Sequence, residues 1–443
     1  MKKCLLLLLL ILGLQATKAQ NPLITHMYTA DPTARCFDGK LYVYPSSDIV
    51  PPKGRDFSGF CMPGYHVFSL ENGATWRDHG WLLEENDVPW SEKDMYAMWA
   101  PDCVRKDGKY YFFFPAKAEN DKAFRRIGVG VSDSPTGPFK WEKSFIEGVA
   151  GIDPGVLVDD DKTYLYYGGG HDLFVAPLAN DMKSITKEPI KIVGLPAGYK
   201  EAAFPLKRGD VYYLTFAHVF PEEGYTIGYA TSDNPLGPYT YRGKIMDNIE
   251  NGTNHHSIVN FNGQWILFYH FWHISGFNKL RSMCADYLYF KDDGTIKKVN
   301  PTLRGIGMPT IGDTIQVDRY NEIGKAQTAF VNGNEPKGWM VTEAHTNSYV
   351  RFNKVDFGSG NANKMQARMA SGQRVGCVEI RLDKLNGPVI AEFPIEFTGG
   401  WSEWKTYVVN LKRKTSGIHD LFVSFKAEPG NTKTVNLNWL LLE

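Results

Sequence analysis

The sequence predicts an all-β protein, a five-bladed β-propeller followed by a second β-domain. Three observations carry this expectation. Aromatic residues make up 14 % of the chain beside 43 Gly and 25 Pro, a mixture that suits many short strands joined by turns. A hairpin-forming unit recurs five times in the first three hundred residues, at intervals typical of propeller blades. The length of 443 residues also exceeds one ordinary core, so a second domain is expected.

Residues 1–19 read as a secretory signal. Lys2 and Lys3 precede an apolar run from Leu5 to Leu14, and Ala16-Thr17-Lys18-Ala19 supplies an A-x-A-like exit before Gln20. The run is too short to span a bilayer, and Cys4 lies ahead of it, whereas a lipoprotein cysteine would follow it. Export to the periplasm or the medium is therefore expected, with no membrane span. Lys+Arg and Asp+Glu balance at 49 each. That leaves no basic field for nucleic acid and points to a neutral ligand. The cysteines beyond the signal (Cys36, Cys61, Cys103, Cys284 and Cys377) are odd in number and lack a C-x-x-C pattern, so neither a zinc site nor a disulfide framework is indicated. A Cys36–Cys61 or Cys36–Cys103 pair stays open, and buried free thiols are expected.

The five units are DPTARCFDGKLYVYP, APDCVRKDGKYYFFFP, DPGVLVDDDKTYLYYG, EAAFPLKRGDVYYLTF and HHSIVNFNGQWILFYH. Each has an apolar stretch, a tight polar turn and an aromatic-rich strand, the pattern of a hairpin. SDSPTGPF at Ser132 and SDNPLGPY at Ser232 repeat a later turn. Aligned on the hairpin turn, the strand-start slot holds Asp31, Ala100, Asp153, Glu201 and His255. The first strand of a propeller blade lines the central channel, so these side chains should converge at one mouth. Asp159, Asp160 and Asp161 fall in the turn slot filled elsewhere by Asp38-Gly39 and Asn262-Gly263, and are expected to be a replaceable solvent-exposed turn.

Three carboxylates and a histidine are costly to gather on one ring without a function that retains them. Beside a neutral ligand they suggest glycoside hydrolysis, which needs one acid protonated and another ionised. A third acid can raise the proton donor's pKa by like-charge repulsion.

The first three hundred residues resemble glycoside hydrolase family 43. The likeness rests on Ala30-Asp31-Pro32, MWAPD at Met98–Asp102, IDPGVLVDDD at Ile152–Asp161, Lys200-Glu201-Ala202 and GTNHHSIV at Gly252–Val259. The resemblance implies a five-bladed propeller, and a base and an acid standing about 6.5–9.5 Å apart in its channel would leave room for water and invert the anomeric centre. It implies Asp31 as general base, Glu201 as general acid and Asp153 as the carboxylate that tunes and orients the acid. It implies a sugar-flanking Trp99, a hydroxyl-binding Arg281, and His255 in the channel near a calcium ion, often through its water shell. His218, His270 and Trp272 lie on similar inner strands without separate support. Many relatives carry glycine where this chain has Ala202 and His256, and His256 is expected to narrow the channel.

From about Gly312 the five-fold repeat stops and polar strands with Asn/Gly turns follow. DKLNGPVI at Asp383, TGGWSEW at Thr398 and NLNW at Asn436 resemble a carbohydrate-binding module of family 6, which implies a β-sandwich jelly roll. Trp401 or Tyr320 would be a sugar platform and Asn436 a polar contact, with Trp404 and Trp439 in the core. The resulting division is signal 1–19, propeller 20–308 and sandwich 312–443. The expected activity is an exported α-L-arabinofuranosidase acting on plant cell-wall arabinoxylan or arabinan. A β-xylosidase is the alternative, and a non-catalytic sugar-binding propeller is the alternative of another class. The loops Pro51–Gly64, Glu84–Tyr96 and Phe220–Gly224 are expected to decide which branch fits.

Overall fold

The computed structural model describes residues 21–443 apart from 56–58, 72–74, 250–251, 273, 332–338, 375 and 428–432. The signal segment therefore lies outside the described residues.

Five antiparallel meander sheets follow one another along the chain. The first holds β1 (Ala30–Phe37), β2 (Lys40–Ser46), β3 (Gly64–Glu71) and β4 (Thr75–Glu84). The second holds β5 (Asp102–Lys106), β6 (Lys109–Ala116), β7 (Arg126–Ser132) and β8 (Lys140–Trp141). The third holds β9 (Ile152–Asp159), β10 (Lys162–Gly169), β11 (Asp172–Leu178) and β12 (Ile190–Lys191). The fourth holds β13 (Tyr199–Arg208), β14 (Val211–Phe220), β15 (Gly224–Ser232) and β16 (Thr240–Met246). The fifth holds β17 (Ser257–Phe261), β18 (Gln264–Phe271) and β19 (Ser282–Leu288). Three of the hairpins between first and second strands turn through residue pairs that both have positive φ: Asp38-Gly39, Asp107-Gly108 and Asn262-Gly263. These are the tight turns that match strand twist.

The sheets close into a cycle. The first strands neighbour one another in the order β1, β5, β9, β13, β17 and back to β1. Apolar faces between successive sheets fill with buried side chains: Tyr65 and Phe112 between the first two, then Phe113 and Leu165, Tyr166 and Phe216, and Tyr229 and Leu267. Leu41 and Phe268 join the last sheet to the first. Fully burying each such side chain stabilises the ring by about 1.5–3 kcal/mol, so the repeat is held by its interfaces as well as by its ladders.

Residues 21–29 run beside β19, with Leu23 N donating to Met283 O (2.9 Å) and Thr29 N to Arg281 O (2.8 Å). At the start of this strap Asn21 is buried. Its Oδ1 accepts Ala285 N at 2.8 Å, and its Nδ2 reaches Asp286 Oδ2 at 3.1 Å and Thr302 O at 2.7 Å.

The C-terminal part has a six-stranded and a five-stranded sheet enclosing one core that includes Phe352, Met365, Phe393 and Leu437. It touches the fifth propeller sheet through Lys354 Nζ to Gln264 Oε1 at 3.0 Å, and the connecting segment through Arg304 Nη2 to Asn353 O at 2.7 Å. All five cysteines among the described residues are free, and Cys61, Cys103 and Cys284 are buried.

Candidate active site

Asp31, Asp153, Glu201 and His255 line a single cavity of about 260 Å³, together with Trp99 and Arg281. With Ala100 also on the wall, the strand-start slots of all five sheets meet, and Trp99 comes from the segment that enters the second. Local backbone irregularity aims the acids. Ladder register shifts between Ala30 and Thr33 and between Glu201 and Phe204, and bulges of this kind re-aim side chains. Asp31 (φ +47), Asp153 (φ +54) and Ala202 (φ +60) all adopt left-handed backbone. Such strain in non-glycine residues clusters at functional sites. At Ala202 a glycine would take this conformation without cost.

Asp31 sits beneath a guanidinium. Arg281 Nη1 donates to Asp31 Oδ1 at 2.9 Å and Nη2 to Oδ2 at 3.5 Å. Burial alone would raise the Asp31 pKa, but the Arg281 charge holds it below the ordinary carboxylate value. His270 Nδ1 accepts the Asp31 backbone N–H at 3.1 Å, and its Nε2 faces Thr253 O at 2.8 Å. These partners assign the proton to Nε2. Burial keeps that ring neutral, with its pKa pushed down to about 3.

Asp153 and Glu201 behave oppositely to Asp31. Burial and then the Glu201 charge push the Asp153 pKa well up, against a hydrogen bond from Ala202 N to Oδ2 of 2.8 Å. Burial also raises Glu201, with Asp31 adding to the rise while Lys200 and a Tyr225 hydrogen bond oppose it. Two buried acids that repel each other titrate as a pair, and the first proton is hard to remove. The cavity thus holds one carboxylate favoured as the anion and a pair that favours keeping a proton.

His255 lies 3.7 Å from Asp153 Oδ2, and burial lowers its pKa to about 4, so it is a neutral imidazole. Calcium takes six to eight oxygen ligands. Among the described residues no group of three or more His, Cys, Asp or Glu side chains converges to hold a metal. A calcium ion held beside His255 through a water shell would not require such a cluster. His256, expected to narrow the channel, is fully buried with Nε2 against Thr215 Oγ1 at 2.7 Å.

Trp99 borders the cavity. Arg125 lies 4.4 Å from its ring centroid and 4.5 Å from that of Phe124, so a cation props the aromatic from the protein side. Asp102, the acid of MWAPD, is buried and tied to Arg35 through both oxygens (3.0 and 2.5 Å). It also accepts the N–H groups of Val156 and Cys103 at 2.7 Å each, which makes it a knot joining three sheets.

Several expectations are corrected or refined. The Arg281 fork lines the cavity as expected and, in this structure, bonds two carboxylates: Asp31 and, through Nε and Nη2 at 2.9 Å each, Asp48. Asp159 is no bare turn residue, since it accepts Lys207 Nζ and Tyr212 OH, each at 2.6 Å, from the neighbouring sheet. Asp160 and Asp161 are exposed, as expected of a turn. Asn436 is buried, accepting from Thr342 Oγ1 and donating to Trp401 O, each at 2.7 Å, so it is not free for a sugar. Trp404 and Trp439 are half-buried rather than core. Tyr320 packs against the sandwich core, while Trp401 carries Lys433 Nζ 4.6 Å from its ring centroid. Of the three loops, the first gives Phe60 and Met62 to the cavity wall, and Tyr225 directly follows the third. Residues 56–58 of that first loop lie outside the described residues.

Sequence reasoning missed Asp48, Tyr225 and Thr253. The one signal available for Asp48 was an acid closing a strand that reads YVYPSSD, and nothing in the repeat marks it.

A β-propeller whose mouth presents one carboxylate held as the anion and a proton-retaining acid pair has the outfit of a glycosidase that works by general acid–base catalysis. The chain belongs to the glycosyl hydrolases family 43, whose model matches residues 19–296, and residues 305–443 match the carbohydrate binding module of family 6. It is a glycoside hydrolase. The xylosidase/arabinosidase 43A of Humicola insolens is 37 % identical over 333 residues, covering 63 % of this chain and 99 % of that protein. The arabinoxylan arabinofuranohydrolase of Paenibacillus polymyxa is 29 % identical over 477 residues, covering 94 % of this chain and 73 % of that protein. A β-xylosidase/α-arabinofuranosidase from a compost microbial metagenome, solved in calcium-free form with xylotriose, matches with a TM-score of 0.58 and 39 % identity over 64 % of this chain and 98 % of that one. The Bacillus subtilis arabinoxylan arabinofuranohydrolase solved with cellotetraose matches with a TM-score of 0.57 and 26 % identity over 96 % of this chain and 99 % of that one.

Proposed function

We propose that the protein is an inverting α-L-arabinofuranosidase that removes arabinose from plant cell-wall arabinoxylan or arabinan. Its catalytic unit in this reading is a five-bladed propeller at residues 20–308, braced by a sandwich at 312–443. The opposed ionisation of Asp31 and the Asp153–Glu201 pair within one cavity carries the reading. Asp31, held as the anion, draws a proton from water as it attacks the anomeric carbon. Glu201 delivers a proton to the leaving oxygen while the glycosidic bond breaks. Between turnovers that proton is shared within the buried Asp153–Glu201 pair, whose mutual repulsion makes it hard to remove. Trp99 offers an apolar face to the terminal sugar, and the neutral His255 a hydrogen-bonding nitrogen.

Alignment with arabinofuranohydrolases over more than nine-tenths of this chain favours arabinose. The second reading, a β-xylosidase, draws on the higher identity of the catalytic part to xylosidase/arabinosidases. No step in either reading passes through a cation. Export is proposed from the leader-like residues 1–19; no helix among the described residues is long and apolar enough to cross a membrane.

The test is release of arabinose or xylose from nitrophenyl pentosides and arabinoxylo-oligosaccharides by the wild type and by Glu201→Gln. Arabinose release with inverted configuration is the expected result. Xylose release alone selects the second reading. Silence of the wild type on every pentoside and on arabinoxylan means a sugar-binding propeller without catalysis.

A further inference from the structure

Asp48 takes no place on the cavity wall, yet the cavity's only guanidinium among its lining residues is built onto it. Its carboxylate is buried and accepts three donors from one residue: Arg281 backbone N at 2.8 Å, Nε at 2.9 Å and Nη2 at 2.9 Å. This bidentate grip, reinforced by the backbone bond, fixes the plane of the fork. Phe60 covers the guanidinium with its centroid 4.2 Å from Cζ, and Met62 Sδ takes Nη2 at 3.4 Å. Nη1 meets Asp31 Oδ1 at 2.9 Å and Thr253 Oγ1 at 3.3 Å, while Nη2, held by Asp48, is 3.5 Å from Asp31 Oδ2. One cation is thus shared between two buried carboxylates.

We infer that Asp48 is a positioning residue for the base: it anchors Arg281 so that only Nη1 makes a short bond to Asp31 (2.9 Å) while Nη2 stays at 3.5 Å, orienting that carboxylate without neutralising it. The inference rests on the reading of Asp31 as base. Shared with Asp48, Arg281 keeps Asp31 ionised yet leaves it able to take a proton from water. Given to Asp31 alone, the same cation could close both bonds to it to full strength and weaken it as a base. The other charged and titratable groups facing this trio are His255 and His270 beside Asp31, Asp153 and Glu201 across the cavity, and Tyr65, Cys61 and Lys279. None of them bonds the Nε edge of the fork.

The experiment measures kcat, KM and the pH dependence of kcat/KM on a nitrophenyl pentoside for wild type, Asp48→Asn, Arg281→Lys, the double variant and Asp31→Asn. Asp48→Asn should lower kcat about 10- to 100-fold, the scale of a small misplacement of a catalytic group, with KM within about threefold, and should move the acid limb of the profile to lower pH. Because Asp48 acts through Arg281, the double variant should be no slower than Arg281→Lys. If Asp48→Asn does not fold, Asp48→Glu, which keeps the charge on a longer arm, must show the same fall in kcat and the same non-additivity. Wild-type kcat and an unmoved acid limb in the folded Asp48 variant, or losses that multiply in the double variant, overturn the inference while an inactive Asp31→Asn leaves the base reading standing. A fully active Asp31→Asn overturns the base reading, and the inference with it.

Discussion

Asp286 offers a test of how the ring is closed. It lies on β19 and is buried, where it accepts Tyr269 OH and Thr302 Oγ1 at 2.5 Å each, Thr302 N at 3.1 Å and Asn21 Nδ2 at 3.1 Å. It therefore pins the N-terminal strap and the segment leaving the last sheet to one point. Burial raises its pKa from 3.8 to about 7, against these four hydrogen bonds. A rise of about three units corresponds to roughly 4 kcal/mol of pH-dependent stability, at 1.36 kcal/mol per unit. The sign follows from which state holds the proton. Below pH 3.8 both states are protonated and Asp286 makes no difference. Between about 4 and 7 the folded protein retains a proton that the unfolded chain has released, so stability falls as pH rises. Above about 7 both states are ionised and the full penalty stays constant. In Asp286→Asn the group no longer titrates. Urea unfolding of wild type and variant at pH 4.5 and 8 should show the wild type losing stability relative to the variant by about 3 kcal/mol across that interval, the first ~1 kcal/mol having been lost below pH 4.5. Other buried acids titrate in both proteins and cancel in the difference. A gap between the two proteins that is the same at both pH values would refute the assignment of this burial cost to Asp286.

Removing the charge of Asp153 while keeping an acceptor for Ala202 N, as in Asp153→Asn, should lower kcat at least about 100-fold and move the basic limb of the pH–rate profile to lower pH, because Glu201 then gives up its proton more readily. Circular dichroism should show the fold intact. Glu201→Gln should be far more damaging on arabinoxylan than on a nitrophenyl pentoside, whose leaving group needs little protonation. Equal losses on both would remove Glu201 from the acid role. Asp159→Ala should destabilise the protein by about 1–2 kcal/mol in thermal unfolding, through loss of the Lys207 and Tyr212 contacts. Asp160→Asn should stay within about 0.5 kcal/mol, since asparagine tolerates the positive φ at that turn.

The contrast between Asp159 and Asp160 shows what the primary structure can and cannot convey. A repeat aligned on the hairpin turns placed both in one slot, because the ladder of β9 and β10 is a local pairing of adjacent strands. Tyr212 and Lys207, which give Asp159 its role, lie about fifty residues further on in the next sheet. Nothing in the spacing of a repeat says which side chains two neighbouring sheets present to each other. The sandwich gave the same lesson at Asn436, where a polar residue in a matching motif turned out to be bonded inside the fold.

By itself the sequence determined the sheet order, the hairpins and the ring position of Asp31, Asp153, Glu201 and His255, because turn chemistry and strand alternation are local and recur five times. The tertiary structure alone decided which acid is held ionised and which pair retains a proton. Those states depend on burial and on Arg281, which lies 250 residues from Asp31 and 233 from Asp48 along the chain. Electrostatic energy in a buried cavity follows distance in space, and only closure of the ring sets that distance.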